Sequence, residues 1–361
     1  MPSRGQFDRT TIIASRMSTR LQLTANDRVL VIAPHPDDES IACGGLLLAA
    51  RDAGAARCVV TLTDGDNNPW PQRWIEKRWR IDAAARARWG ARRRAESHAA
   101  LDSLDVSAGN RVFFGLPDAG LTALLLHEAE KLIAPLRGHI AAFRPTHVVF
   151  PALTDRHPDH SAAHIAIRVA LLGNVAPPRP LVYRVHGANL DRCAYQLDLT
   201  AAQCAGKRAA IACHQTQMRL SGDRFLAFAT PAEYFDDIDA APRREHPLSA
   251  RLHPGPGLAL CVRKQRLHSN RHILILLADA QGRIDARTCP LATPGKLTAL
   301  PESRNDLPPA SLNWRRNEGD FTLDVPLPTP SAPHLGFVKL TRARTGLVVF
   351  DRFGWQAIDG L

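Results

Sequence analysis

The 361-residue chain lacks the marks of a disulfide scaffold. Its seven cysteines (positions 43, 58, 193, 204, 213, 261 and 289) are odd in number and scattered, with no C-x-x-C pair. That argues against a disulfide framework and for a reducing compartment. No window approaches eighteen consecutive apolar residues, so no membrane span is expected. The segment up to Asn26 is largely polar and has no apolar core of the kind a signal peptide requires. Internal repeats and long low-complexity tracts are absent too. The expectation is a soluble, cytoplasmic protein. Against these absences stands a 45% apolar content, ample for globular folding, in a chain longer than one core usually serves. Two domains are expected.

Two clusters carry the chemistry. The run Arg28 to Pro34 is short, apolar and β-branched, and reads as a buried strand. It is followed at once by His35-Pro36-Asp37-Asp38-Glu39, and then by a segment, Ser40 to Asp52, that reads as a helix. An imidazole and three carboxylates in five residues at the carboxyl end of a strand lie where open α/β sheets place ligands. In a sealed core they would be costly without a partner. One such cluster could still be a solvated loop with an Asp helix cap. The second makes that account insufficient: the apolar run His147 to Leu153 leads into Asp155-Arg156-His157-Pro158-Asp159-His160, again opening a helix (Ser161 to Leu172). His157 and His160, three apart at a helix start, can point the same way. Two loops offering His, Asp and His, with no cysteine usefully near, suit a three-ligand hydrolytic zinc site with an open position rather than a closed structural one. Zinc lowers the pKa of bound water to about 7, and an adjacent carboxylate can take its proton.

These stretches resemble the paired motifs of the PIG-L / LmbE-like zinc N-deacetylases, which remove acetyl from N-acetylglucosamine-type sugars. The resemblance rests on His35 to Glu39 with Gly44-Gly45, and on His157-Pro158-Asp159-His160. Arg93-Arg94-Ala95-Glu96 is similar to the family's R-x-x-E helix. Phe113 to Leu121 is similar to its F-L-G-x-P-D-G-G-L loop, with Ala119 at a common Gly. The likeness covers roughly residues 26 to 220. It implies that His35, Asp38 and His160 hold one zinc, that Asp37 is the general base, and that His157 is a protonated partner for the oxyanion or leaving amine. It further implies sugar-hydroxyl contacts for Arg93 and Asp118. Glu39 and Asp159 are read as residues orienting the ligands or, alternatively, as helix N-terminal charge.

The charge, +11, is partly local. Nine Lys or Arg lie between Arg73 and Arg94, against Glu76 and Asp82, and Trp70, Trp74, Trp79 and Trp89 share the region. A helix over Gln72 to Trp89 would gather Trp74, Ile81, Ala85 and Trp89 on about a quarter of its circumference. Three readings stay open: a helix packed on its own domain, a lining of the acceptor site, or a peripheral contact with a membrane surface. Nucleic acid is not expected as a partner, because no binding motif accompanies the charge.

The expected architecture is α/β: a Rossmann-like, mostly parallel sheet with helices on both faces, followed by a small antiparallel, sandwich-like β domain. The parts are an N-terminal arm (1–25), the deacetylase-like domain (26–240), a breaker-rich linker (241–257) and the β-rich domain (258–361). Strands are expected over 28–34, 57–63, 111–114, 147–152 and 181–186, and a helix over Ala201 to Met218, with His214 structural. In the C-terminal part, β-type runs fall at 258–266, 272–278, 321–327, 336–341 and 347–353. The implied reaction is zinc-dependent removal of N-acetyl from an amino sugar. Rivals are an amidase for a larger acyl group, a Fe2+ enzyme built on the same ligands, and a glycan-binding protein with a relict site. Oligomeric state is not assigned.

Overall fold

The computed structural model describes residues 18–187, 193–238, 248–252, 257–263, 272–290, 298–299, 313–316, 320–326, 333–341, 351 and 353–361. In chain order the first part runs β1 (Thr19–Arg20), β2 (Arg28–Ala33), α1 (Asp38–Asp52), β3 (Ala56–Thr63), α2 (Pro69–Glu76), α3 (Ala83–Ser103), β4 (Arg111–Leu116), α4 (Leu121–His127), α5 (Ala129–Phe143), β5 (His147–Pro151), α6 (Pro158–Ala170) and β6 (Arg179–Tyr183). It continues with β7 (Tyr195–Asp198), α7 (Ala201–Cys213), α8 (Gln215–Leu226) and β8 (Ala232–Phe235). A parallel sheet forms in the order β4-β3-β2-β5-β6. Val29 to Ala33 and Val148 to Phe150 are buried on both faces, which is why these strands read as unbroken apolar runs. One face packs on α4, α5 and α6. The other packs on α1 and α7, with the end of α3. From β2 the chain builds outward to β3 and β4, then returns to place β5 on the other side. The crevice between the carboxyl ends of β2 and β5 is therefore a topological switch point, the place such sheets bind ligands.

The remaining strands are β9 (Leu248–Leu252), β10 (Gly257–Arg263), β11 (His272–Ala278), β12 (Ile284–Pro290), β13 (Thr298–Ala299), β14 (Asn313–Arg316), β15 (Asp320–Pro326), β16 (Leu335–Thr341) and β17 (Trp355–Ala357). They make two antiparallel sheets, β14-β15-β10-β9 and β13-β12-β11-β16-β17. Apolar residues of β9 and β10 interdigitate with those of β11 and β16, as in a sandwich. The opposite side of β11 and β16 joins the α4–α6 core through Leu274, Leu276, Phe337 and Trp355. The turn over Asp279 to Gly282 forms, with Gly282 in a left-handed conformation against Val169 of α6.

The structure corrects several local expectations. The segment read as linker contains β9, which pairs with β10 over Leu248 to Leu252. Arm-like character does not extend to Leu21, because Thr19 and Arg20 pair with β7. The single helix over Gln72 to Trp89 is two helices. Asn68 accepts from the Trp70 amide at the start of α2, Lys77 ends it in a left-handed conformation, and Asp82 caps α3 through the Ala85 amide. The break scatters the expected aromatic face: Trp89 is buried, whereas Trp74 is exposed. Ala201 to Met218 likewise breaks at His214 between α7 and α8. Of the run 347–353, residues 347–350 and 352 lie outside the described set, and the nearby strand is β17.

Candidate metal and catalytic site

His35 to Asp38 leave the end of β2, and Asp155 to His160 leave the end of β5. Because β2 and β5 are hydrogen-bonded neighbours, the two loops meet. Asp38 Oδ2 is the meeting point, 3.3 Å from His35 Nδ1 and 3.2 Å from His160 Nε2. Ligands about 2.0–2.1 Å from a tetrahedral zinc stand about 3.3 Å apart, so these separations suit one ion. His160 is wholly buried, and neither of its ring nitrogens has a hydrogen-bond partner. Buried orphan nitrogens facing carboxylates are what a cation would satisfy. The ring nitrogens of His35, His157 and His160 also come within 4.8 Å of one another.

A carboxylate stands behind each imidazole. His160 Nδ1 faces Asp155 Oδ2 at 3.2 Å. His35 Nε2 faces Asp118 Oδ1 at 3.2 Å and Asp159 Oδ2 at 3.4 Å. Such partners fix ring orientation and raise ligand basicity. Burial alone would lower the pKa of both imidazoles. The contacts with Asp118, Asp159 and Asp38 nevertheless hold His35 well above its ordinary value, and Asp38 and Asp155 push His160 up to about 10. These are sites that attract a positive charge.

Asp37 turns the other way. Its backbone has φ 138°, a region costly for a non-glycine residue and persistent only where neighbours over-determine it. Here they do: Glu39 Oε2 accepts from the Asp37 amide at 2.9 Å, and Arg93 Nη2 donates to Asp37 Oδ2 at 2.9 Å. Burial raises the Asp37 pKa to about 6, with Arg93 opposing and Asp38 adding to the rise. Burial likewise pushes Glu39 up to about 7.

His157 caps α6, its Nδ1 accepting from the Asp159 amide at 3.2 Å. That contact places the proton on Nε2. Burial, then the neighbouring His35 and His160, depress its pKa well below the ordinary value. The resemblance implies a protonated partner here; the Nδ1 contact leaves Nε2 as the nitrogen that carries a donating proton.

Arg93 and Asp118 are placed differently from the sugar-contact role. Arg93 is 7% exposed, and its guanidinium donates to Pro36 O, Gly65 O and Asp37. Asp118 accepts from the Asn67 amide at 2.7 Å and faces His35. Asp159 anchors the same loop, accepting from the Ala119 and Leu121 amides. Ala119 has φ 58°, a conformation glycine adopts freely and alanine does not. His214 lies behind the site, its Nε2 3.0 Å from Ser40 Oγ and 3.5 Å from Glu39 Oε1.

The sequence reading gives no role to Asp155 or His186. Asp155 Oδ2 accepts from the Val185 and His186 amides, and Oδ1 from the His157 amide, tying the ends of β5 and β6 together. The His186 ring lies 5.1 Å from that of His160 and 5.6 Å from that of His157. A histidine three residues past the end of β6, the strand next to β5, is a usable signal once the sheet order is known.

Residues 30–171 match the family model PIG-L, described as GlcNAc-PI de-N-acetylase. The matched span holds both acid-and-histidine loops, so the chain is similar to the PIG-L family there. Among curated relatives of this chain is a 1D-myo-inositol 2-acetamido-2-deoxy-alpha-D-glucopyranoside deacetylase of Gordonia bronchialis, 28% identical over 193 residues, covering 48% of this chain and 67% of the relative. A protein of the same name from Nocardia farcinica is 32% identical over 156 residues, covering 39% and 50%. The chain thus spans half to two thirds of these relatives. Among solved structures, the N,N'-diacetylchitobiose deacetylase of Pyrococcus horikoshii aligns at TM-score 0.43 and 21% identity over 58% of this chain and 82% of that one. A conserved protein from Thermus thermophilus aligns at 0.45 and 22% over 60% and 97%.

Proposed function

We propose that the chain is a metal-dependent hydrolase that removes the N-acetyl group from an N-acetylated amino sugar. The observation that carries this is the divergence of two adjacent aspartates. Asp38 faces two imidazoles, while Asp37 is turned to Arg93 and made a stronger base than an ordinary carboxylate by burial. His35, Asp38 and His160 are the residues that would hold zinc, or Fe2+ on the same donors. The bound metal supplies Lewis acidity and a water of pKa about 7. Asp37, held by Arg93 and Glu39, takes a proton from the attacking water. His157 Nε2–H donates to the acyl oxygen as charge develops there. Asp37 then returns its proton to the departing amine, giving acetate and a free amino sugar. Arg93 acts as a positioning residue for Asp37, and Asp155, Asp118 and Asp159 orient the imidazoles. The free thiols at Cys43, Cys58, Cys193, Cys204, Cys213 and Cys261 support a reducing compartment, and we place the protein in the cytoplasm. The names of the relatives support an amino-sugar substrate.

The test is acid release from N-acetylated glycosides, nucleotide sugars and glycolipids, with N-acyl analogues of longer chain beside them, in chelated and zinc-reconstituted protein. Acetate release that requires metal is the expected result. Preference for the longer acyl chains would replace deacetylase with amidase. Metal-replete protein inert on every amide would overturn the reading.

A further inference from the structure

We propose that residues 69–80 form a docking surface for an anionic lipid bilayer. Trp70, Trp74 and Trp79 are 63%, 75% and 78% exposed, the largest exposed aromatic group among the described residues. They sit on α2 and the turn that follows it. The Arg73 guanidinium lies between two of them, 5.1 Å from the Trp70 ring and 5.4 Å from the Trp79 ring, which holds both indoles in place. Leu220, also exposed, lies on α8, the helix against which α2 packs.

The charge around the indoles has one sign. Residues 69–80 contain Arg73, Lys77, Arg78 and Arg80, with Glu76 the single acid. Glu76 is half-buried and turned to Arg88 at 3.8 Å, and Lys77, Arg78 and Arg80 are exposed. Among the described ion pairs none involves Arg73, Lys77, Arg78 or Arg80. Indoles favour the bilayer interface, where the ring is apolar and the N–H wet. Exposed cations add attraction to anionic lipid, about fivefold in affinity for each one near the surface. A short helix with Trp beside Lys and Arg has the composition of an element that lies in that interface rather than crossing it. No helix among the described residues is long and apolar enough to cross a membrane. A soluble glycan is the poorer occupant. Sugar and cofactor sites are concave and bury most of their ligand, whereas these rings stand outward from a single helix and turn.

The surface is tied to the rim of the site. In the loop between β3 and α2, Gly65 O accepts from Arg93 and the Asn67 amide donates to Asp118. A docked α2 therefore brings the crevice between β2 and β5 close to the bilayer, where a lipid-anchored amino sugar would be presented. That last step rests on the proposed deacetylase reading; the docking itself does not.

The test is cosedimentation of the full chain with phosphatidylcholine vesicles and with phosphatidylcholine–phosphatidylserine vesicles, together with tryptophan emission. Binding to the anionic vesicles, a blue shift on binding, and release by high salt are expected. Arg78→Ser with Arg80→Ser should weaken binding about 25-fold. Trp74→Ala with Trp79→Ala should weaken it tenfold or more and remove most of the blue shift. As a control for total charge, Arg51→Ser with Arg144→Asn removes two cations at the carboxyl ends of α1 and α5, beside the amino ends of the strands and so opposite the loop that leads to α2, and should leave binding within twofold. Failure to sediment with anionic vesicles overturns the proposal. So does equal weakening by the control pair, or an emission shift with N-acetylglucosamine oligomers and none with vesicles. Because none of these readouts involves turnover, an inert enzyme that binds vesicles would sink the deacetylase reading and leave the docking surface standing.

Discussion

Asp155→Asn tests whether the carboxylate behind His160 sets metal affinity. Asp155 Oδ2 stands 3.2 Å from His160 Nδ1, and the wholly buried pair is screened by no solvent. Burial alone would raise the Asp155 pKa, yet the charge of His160 brings it well below the carboxylate range, so the group is an anion there. An amide keeps the shape and removes the charge. Loss of such a partner usually weakens metal affinity by about 10–100-fold, which is about 1.4–2.7 kcal/mol. A second effect must be separated from the first. Asp155 accepts from the amides of Val185 and His186 on one oxygen and of His157 on the other, so the NH2 of Asn will face an amide whichever way it turns. That should lower stability by about 1–3 kcal/mol. Affinity is therefore to be measured on folded protein, well below the unfolding temperature, by competition with a chromophoric chelator. Thermal unfolding of the metal-free forms reads the second effect. Affinity within twofold of the parent, with the expected loss of stability, would show that Asp155 only holds the loop together.

Other consequences can be checked directly. His35→Ala, Asp38→Ala and His160→Ala should each purify without metal, whereas Asp37→Asn should keep it and lose about 10²–10⁴ in turnover; metal-free Asp37→Asn protein would reverse the roles of the two aspartates. His164 and His214 are depressed to about 3, burial being the leading cause for each. Between pH 6.5 and 3 the unfolded chain binds protons at these sites and the fold does not, so stability falls as pH drops through this window, by about 2 kcal/mol for each group at pH 5. In His164→Asn the amide can replace the Nδ1 contact to Pro151 O; urea titrations at pH 7 and pH 5 should show a smaller difference than in the parent, and an unchanged one would mean that His164 is not a buried neutral group. A Cβ on Gly45 would meet Leu199 and approach Glu233 Cδ to 2.9 Å, so Gly45→Ala should cost about 1–3 kcal/mol despite its better helix propensity; Gly138→Ala, with nothing within 4 Å, should gain up to about 1 kcal/mol. Equal shifts in melting temperature for the two would contradict the contact argument.

The parallel sheet was legible because its strands are buried on both faces, leaving continuous apolar runs that end at charged loops. The two loops could be paired from residue type alone, since no other segment offers imidazoles and carboxylates so densely. What escaped depended on information that period and composition do not contain. The break in the Trp-rich helix comes from a left-handed Lys77 and an Asp82 side chain that caps a new helix, and an apolar spacing cannot register either. Arg93 looked like a ligand-binding arginine because its partners, Pro36 O and Gly65 O, are backbone atoms of distant loops. The tautomer of His157 follows from an amide two residues on, which becomes a donor to the ring only when the helix starts at Pro158.

Among the described residues the C-terminal sheets contribute no donor to the cluster of imidazoles, yet they reach it. The Asp351 amide donates to Arg156 O at 2.7 Å, inside the loop that carries His157 and His160, and Asp351 is itself held by Lys339 of β16 at 2.5 Å. Leu274, Leu276, Phe337 and Trp355 complete the apolar cover of α4, α5 and α6. A lesion at Lys339 or in the sheet below it can therefore reach the site from a distance: the loop loosens and an imidazole strays from Asp38 with every residue of the cluster intact. The geometry of the cluster thus doubles as a gauge of whether the far end of the polypeptide has folded.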